Sequence, residues 1–318
     1  MANAVALRQN NKEQPTRTGH LIDRIAQRIA LHAPQQGLHS TLIPGVSLYR
    51  RNEVSPCYPG NYEPSVHVFA QGQKRITLGE TTYLCKRGTF LLSSVDVPAV
   101  SQVVEATASK PLLSFVLKLD MAMVREILPQ GEFQERGMSS GNRAIAIAEA
   151  AEELLDPCYR LLKLLDAPQD IPLLSALTQR EIVYRLLKST QGERLRAIAT
   201  LGGQGHNTAK AIAWLRANYS KPLRLEDLAE VSRMGMSTLH HHFRELTAMS
   251  PLQYQKQLRL VAARERMLAE GLDAATAAFQ VGYESASQFS REYKRFFGQP
   301  PMTDVRATRY TTIIGMGE

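Results

Sequence analysis

The sequence predicts an α+β chain in two parts, a β-rich unit followed by helices and then a unit that is helical throughout. Three observations predict this. Short β-rich runs separated by turn residues fill Val46 to Leu119, the apolar period lengthens to that of helices from Asp120, and no strand pattern survives beyond the glycine-rich stretch Leu201 to Thr208. The 318 residues suit two domains, and with 44% apolar and 21% charged residues each can bury a core, which excludes wholesale disorder.

Residues 1 to 20 are polar and read as frayed, whereas Leu21, Ile22, Ile25 and Ile29 recur at helical spacing within Leu21 to Leu31. The strand candidates are VSLYRR, SVHVFA, KRITL, TTYLC, TFLLSS, SQVVEA and LLSFVLKL. Turn signals interrupt them at Gln71-Gly72, Gly79-Glu80, Arg87-Gly88 and Val97-Pro98, a spacing that reads as a small barrel or sandwich. Helices are expected around Met121 to Leu128, Arg143 to Leu155, Pro157 to Leu165, Pro172 to Lys188 and Glu193 to Ala199. The stretch LGGQGHNT, with three glycines and no apolar period, has the composition of a flexible boundary, which places the domains at residues 1–200 and 208–310.

In the helical half a helix-turn-helix pattern occurs twice. In the first copy Leu225, Leu228, Ala229 and Val231 form the inner face of a short helix, and a turn through Ser232 to Gly235 follows. The next helix, about Met236 to Leu246, buries Leu239, Phe243 and Leu246, which leaves Ser237, His240, His241 and Arg244 toward solvent. In the second copy Asp273 is an N-cap, Ala277, Ala278 and Val281 face inward, Gly282 makes the turn, and Ser285 with Gln288 fits a capping box. Phe289, Tyr293 and Phe296 repeat the apolar rhythm and leave Ser287, Ser290, Arg291 and Lys294 outward. Between the copies Ser250-Pro251 opens a helix that runs to Gly271, about 30 Å of rod and close to the ~34 Å between successive major-groove faces of B-DNA.

Charge and cysteine content fit a polyanionic partner in a reducing compartment. Lys plus Arg number 38 against 30 Asp plus Glu, for a net charge of +8 and a pI near 9.4. Cys57, Cys85 and Cys158 are too scattered for a disulfide framework or a zinc site. The N-terminal segment lacks the apolar core of a signal peptide and no apolar run reaches membrane-spanning length, so the expectation is a cytoplasmic protein with no membrane association.

The second half resembles the DNA-binding domain of AraC/XylS-family transcriptional regulators. The residues that carry the likeness are Leu228-Ala229, Leu239 with Phe243, Ser250-Pro251, Arg259-Leu260 with Ala263-Arg264, Gly282-Tyr283, Phe289-Ser290-Arg291, Phe297-Gly298 and Pro300-Pro301. Gly235 stands where serine is usual, and His241 where arginine is usual. The first half resembles a subfamily through Ile43-Pro44-Gly45, Tyr62-Glu63-Pro64-Ser65, Gln71-Gly72 with Lys74, the segment from Glu181 to Leu187, and Gly192-Glu193-Arg194-Leu195-Arg196.

This likeness implies an N-terminal cupin-like β-barrel that senses a small molecule or redox state and forms a homodimer. It further implies double-stranded promoter or operator DNA and RNA polymerase as partners, with no cofactor. It places base-reading groups at Ser237, His240, His241, Ser287, Ser290 and Arg291, with arginine on guanine the commonest specific contact. Arg244, Lys294 and Arg295 are expected to meet phosphates. Cys57, in the loop PCYPG, and Lys74 are the candidates for meeting an effector.

No catalytic or metal site is expected. Successive helical residues point about 100° apart, which keeps His240, His241 and His242 from converging on one ion, and the β-rich half offers His67 without a clustered partner. The alternative is a cupin-type metalloenzyme with an accessory helical domain.

Overall fold

The computed structural model describes residues 17–133 and 143–314, with side chains described to residue 308. Of residues 1–20, expected to be frayed, 1–16 lie outside the described residues, whereas residues 17–20 already form the first turn of a helix.

The first half runs α1 (Arg17–His32), β1 (Gly37–Ser40), β2 (Val46–Arg51), β3 (Tyr58–Tyr62), β4 (Ser65–Gln71), β5 (Gln73–Leu78), β6 (Thr81–Lys86), β7 (Thr89–Ser93), β8 (Val97–Glu105), β9 (Leu112–Lys118), α2 (Met121–Ile127), β10 (Ile145–Glu149), α3 (Glu152–Lys163), α4 (Ile171–Lys188) and α5 (Gly192–Ala199). The second runs α6 (Gln204–Ala217), α7 (Leu225–Ser232), α8 (Met236–Thr247), α9 (Pro251–Ala269), α10 (Ala274–Gln280), α11 (Ala286–Phe297) and α12 (Pro301–Ile314).

The strands form two antiparallel sheets in the orders β1-β2-β9-β4-β7-β10 and β3-β8-β5-β6. Neither sheet closes on itself and no ladder joins the two among the described residues. The architecture is therefore a pair of open sheets, where a closed barrel was one expectation. Strand alternation distributes the side chains of the larger sheet. Val46 and Leu48 of β2, Val66 and Val68 of β4, and Phe115 and Leu117 of β9 pack with Ile25 and Ile29 of α1 and with α3 and α4. The intervening residues point at the smaller sheet.

Several details depart from the sequence pattern, among them α3, which runs through Pro157 as one helix where two were expected. The segment IAIAE, read as the start of a helix, is strand β10 paired with β7, and the helix begins only at Glu152. Short apolar runs carry no decisive period, and pairing with the β7 edge settles the choice. Pro98 lies inside β8 instead of ending it, because there β8 has only β3 as a neighbour, so its missing N–H breaks no ladder to β5. Val231 is exposed, leaving Leu228 as the fully buried apolar anchor of α7. The glycine-rich boundary is already helical from Gln204, and a Cβ on Gly205 would lie 2.8 Å from the Ala197 carbonyl oxygen. That glycine serves a close approach of α6 to α5, not flexibility.

The helical half divides into two cores. The second helix-turn-helix packs on itself through Ala277, Val281, Phe289, Tyr293 and Val305. The first shares one continuous cluster with the sheets, in which Ile212, Leu239, Phe243 and Tyr254 join Ile76, Leu91, Val97 and Ile145. Phe243 is fully buried, so Phe243→Ala is expected to cost about 3–5 kcal/mol. Because the cluster is shared, sheet and helix signals should shift together in a urea titration. Separate transitions with an unmoved sheet signal would contradict a shared core.

Candidate DNA-reading face and effector cavity

Local sequence sets each helix of the helical half. Ser250 caps α9 by accepting from the Gln253 N–H, and Gln253 Oε1 in turn accepts from the Ser250 N–H at 3.0 Å. Asp273 caps α10 by accepting from the amides of Ala275 and Thr276 at 2.9 and 3.0 Å. Ser285 caps α11 through the Gln288 amide at 3.2 Å, while the Gln288 side chain donates forward to Glu292 instead of closing the box. Gly235 holds the N-cap position of α8 with no side chain to offer.

Two arginines of α9 fix how the helix-turn-helix units sit. Arg259 donates to the carbonyls of Tyr219, Lys221 and Gly282 at 2.7, 2.8 and 2.7 Å, tying the chain ahead of α7 to the turn of the second unit. Gly282, at φ +92°, allows this approach, since a Cβ there would lie 2.0 Å from the Ser220 oxygen. Arg264 is 4% exposed and donates to Asp304 at 2.6 Å and to Thr308 at 2.8 Å, while Tyr293 donates to the same carboxylate at 2.7 Å.

With this frame set, Ser237, His240 and His241 on α8 and Ser287 and Arg291 on α11 are exposed, and Ser290 is half-buried. Arg244, Lys294 and Arg295 are exposed as well. Among the described residues none of these cations or Arg291 is paired with a carboxylate. His241 Nε2 and His242 Nδ1 both turn to the Glu245 carboxylate, at 4.0 and 3.2 Å, so three possible ligand atoms lie within 4.8 Å of one another. The 100° spacing of neighbours does not keep these two histidines apart, because Glu245 one turn on collects both; His240 stays outside the group.

Between the two sheets lies a cavity of about 650 Å³ that opens to solvent, a size typical of small-molecule sites. Register places its walls. Tyr49 lies opposite Ser114, which lies opposite Phe69, and Ser47, Val116 and His67 form the next row. Tyr62 comes from β3 and Lys74 from β5 of the facing sheet. Of the residues expected to meet an effector, Lys74 lines this cavity, whereas Cys57 is exposed ahead of β3 and does not. Tyr49, Tyr62, His67 and Ser114 line it as well; alternation in VSLYRR marks Tyr49, single polar residues in SVHVFA and LLSFVLKL mark His67 and Ser114 only weakly, and no strand pattern marks Tyr62.

The Lys74 ammonium lies 5.0 Å from the Tyr49 ring centroid and 5.6 Å from that of Tyr62. Burial by itself would lower its pKa, but the Tyr62 and Tyr49 phenols outweigh that and raise it, so the group is a cation at neutral pH. Burial first, and Lys74 second, push His67 down to about 3, which makes it neutral. It shares a 3.0 Å hydrogen bond with Ser65 Oγ. Burial pushes the Cys85 thiol up to about 12, so it is no thiolate. With one histidine and the carboxylate of Glu63, the wall offers no clustered metal ligands among the described residues.

Strand β3 is both a wall of this cavity and the dock for the helical half. Arg264 donates to the Tyr58 hydroxyl and lies 4.3 Å from its ring centroid. Glu63, just past β3, pairs with Lys118 and with Arg216 of α6, and Arg216 also pairs with Asp96. Tyr254 donates to the Asp96 carbonyl at 2.7 Å. The C-terminal end of α8 is clamped too, with the Ala144 amide donating to the Leu246 carbonyl at 2.8 Å.

A β domain docked onto paired helix-turn-helix units, whose outer faces carry cations without carboxylate partners among the described residues, fits a DNA-binding transcription regulator. The chain belongs to the AraC family: residues 42–194 match the AraC-type transcriptional regulator N-terminus and residues 228–307 a helix-turn-helix domain. The transcriptional activator RhaS of Pectobacterium carotovorum is 22% identical over 236 residues, covering 74% of this chain and 79% of RhaS. The regulator ExsA of Pseudomonas aeruginosa is 26% identical over 155 residues, covering 49% of this chain and 55% of its own. The fold is shared with an apo point variant of ToxT of Vibrio cholerae, at a TM-score of 0.57 and 11% identity over 84% of this chain and 98% of that one. Among the described residues no helix is long and apolar enough to cross a membrane.

The Lys118 ammonium, and then Arg216, hold the Glu63 carboxyl below its ordinary value of 4.5 against the opposing effect of burial. A lowered folded-state pKa contributes stability that is present above the ordinary value and lost as pH falls through the folded one. Acidification below about 4.5 should therefore loosen the dock at Arg216. Proteolysis in the Thr200 to Gly203 segment should accelerate over that range, and Glu63→Gln should show the faster cleavage already at neutral pH. Equal rates for the variant and wild type at neutral pH would show that this pair does not hold the dock.

Proposed function

We propose that this chain is an effector-controlled regulator of transcription whose β domain senses a small molecule in the cavity between the sheets. The observation that carries the reading is the double duty of β3: Tyr58, Tyr62 and Glu63 line the cavity, while Tyr58 and Glu63 hold Arg264 and Arg216 of the helical half. A ligand that repositions this strand changes the restraint on both helix-turn-helix units, a coupling free energy between two sites. The reading concerns a small-molecule signal, since the exposed Cys57 stands outside the cavity.

On DNA, α8 and α11 enter successive major grooves. Ser237, His240 and His241 read one half-site and Ser287, Ser290 and Arg291 the other, while Arg244, Lys294 and Arg295 meet phosphates. The exposure of Ser237, His240, His241, Ser287 and Arg291, and the lack of carboxylate partners for Arg244, Arg291, Lys294 and Arg295 among the described residues, support this assignment. The chain forms a homodimer through the β domain, supported by Leu173, Leu174 and Leu177, 72%, 40% and 58% exposed along α4. The promoter-bound dimer acts with RNA polymerase in the cytoplasm.

Titration of the full chain on its own upstream DNA and on scrambled DNA tests the reading. Arg291→Ala should lose about 1–3 kcal/mol of discrimination between the two. Lys294→Ala should weaken both alike and reduce the slope of log K against log salt by about 1. Wild type that binds neither DNA at low salt would overturn the assignment of these faces.

A further inference from the structure

The cavity presents a charge without a counter-charge. Lys74 projects from β5 between the sheets, with Cys85 and Val103 as its ladder neighbours. The nearest groups to its ammonium are neutral: the Tyr49 and Tyr62 rings, and His67, whose ring centroid is 5.6 Å from that of Tyr62. Among the described residues Lys74 forms no ion pair, and Glu63, the carboxylate on the cavity wall, is engaged with Lys118 and Arg216. The tyrosine phenols offset the cost of taking this ammonium out of water but do not neutralise it, and a charge that faces a cavity with no carboxylate of its own is a group placed to meet an anion.

A second observation points the same way. The Tyr62 hydroxyl is buried beside the Lys74 ammonium, and its own O–H finds no acceptor among the described residues. Lys74 and Tyr62 thus offer two donors on one side of the cavity, the complement of the two oxygens of a carboxylate. The rest of the wall is largely apolar, with Phe69, Val116 and the faces of Tyr49 and Tyr62.

Resting on the reading of this cavity as the effector site, we infer that its ligand is a small monocarboxylate with a mainly apolar body, one carboxylate oxygen on Lys74 Nζ and the other on Tyr62 Oη. Charge counting favours a monoanion. One unpaired ammonium is available: His67 is neutral, and Lys118, the other lysine on the wall, is matched by Glu63.

Calorimetry on the full chain with matched probes tests this: 1-naphthoate against 1-naphthylmethanol, and decanoate against decanol. Wild type should bind at least one acid about tenfold or more tightly than its alcohol, as expected for a hydrogen-bonded charge. Lys74→Met should lose that preference and still bind the alcohol. Tyr62→Phe should weaken the acid severalfold and leave the alcohol unchanged.

Acid preference that survives Lys74→Met overturns the inference, as does wild type that binds no acid at millimolar concentration. Alcohols that bind wild type as tightly as acids, and are displaced by Val116→Phe, overturn the charge assignment while leaving the cavity as the effector site. Acids that bind through Lys74 but change neither promoter affinity nor cleavage in the Thr200 to Gly203 segment leave the anion site standing and overturn the effector reading.

Discussion

One hydrophobic cluster runs without interruption from between the sheets into the first helix-turn-helix, and the arrangement of the molecule depends on it. Burial of apolar surface is non-directional and scales with area, so the cluster provides attachment but little orientation. Orientation comes from polar contacts at its rim: Tyr254 on the Asp96 carbonyl, Arg216 between Glu63 and Asp96, and the Ala144 amide on the end of α8. Gly79 adds a steric limit, because a Cβ there would lie 2.6 Å from that of Ala248, the residue that ends α8. Helix α8 is therefore positioned by the β domain as much as by its own unit.

The second helix-turn-helix is held differently. Its core is its own, and it reaches the rest of the protein through α9, whose Arg259 and Arg264 each bridge elements distant in sequence. Breaking a buried charge pair by removing one partner costs about 3–5 kcal/mol, because a charge is left stranded. The pair Arg264–Asp304, joined by the Tyr293 hydroxyl, thus makes the placement of α11 against α9 and α12 all but rigid, and Tyr58 of the β domain completes the same cluster.

The cations of the helical half fall into two populations with opposite physics. Arg216, Arg259 and Arg264 are turned inward, matched to carboxylates and carbonyls, and work as fasteners. Arg244, Arg291, Lys294 and Arg295 face water without carboxylate partners among the described residues, where their field is free to act on a polyanion. The net charge of +8 is visible in composition, but only this sorting shows which cations carry it to the surface. Lys74 belongs to neither population, since it faces a cavity.

Much was decided along the chain itself. Helical periodicity, the caps at Ser250, Asp273 and Ser285 and the turn at Gly282 are local devices, and local devices determined both helix-turn-helix units and the outward faces of α8 and α11. The strands β2, β4, β5, β6, β7 and β9 were legible for the same reason, as alternation bounded by turns. Non-local choices were not. Whether IAIAE is strand or helix depends on the free edge of β7, and whether Pro98 may sit in a strand depends on where β5 ends. Two sheets rather than a barrel, and Gly205 as a packing contact rather than a hinge, follow from neighbours distant in sequence. The cavity is the clearest case: its walls come from strands whose polar residues alternate too briefly to assign a face. Tertiary pairing alone puts Tyr49, Tyr62, His67 and Lys74 around one space, because a site between sheets is defined by register across strands and not by spacing along any one of them.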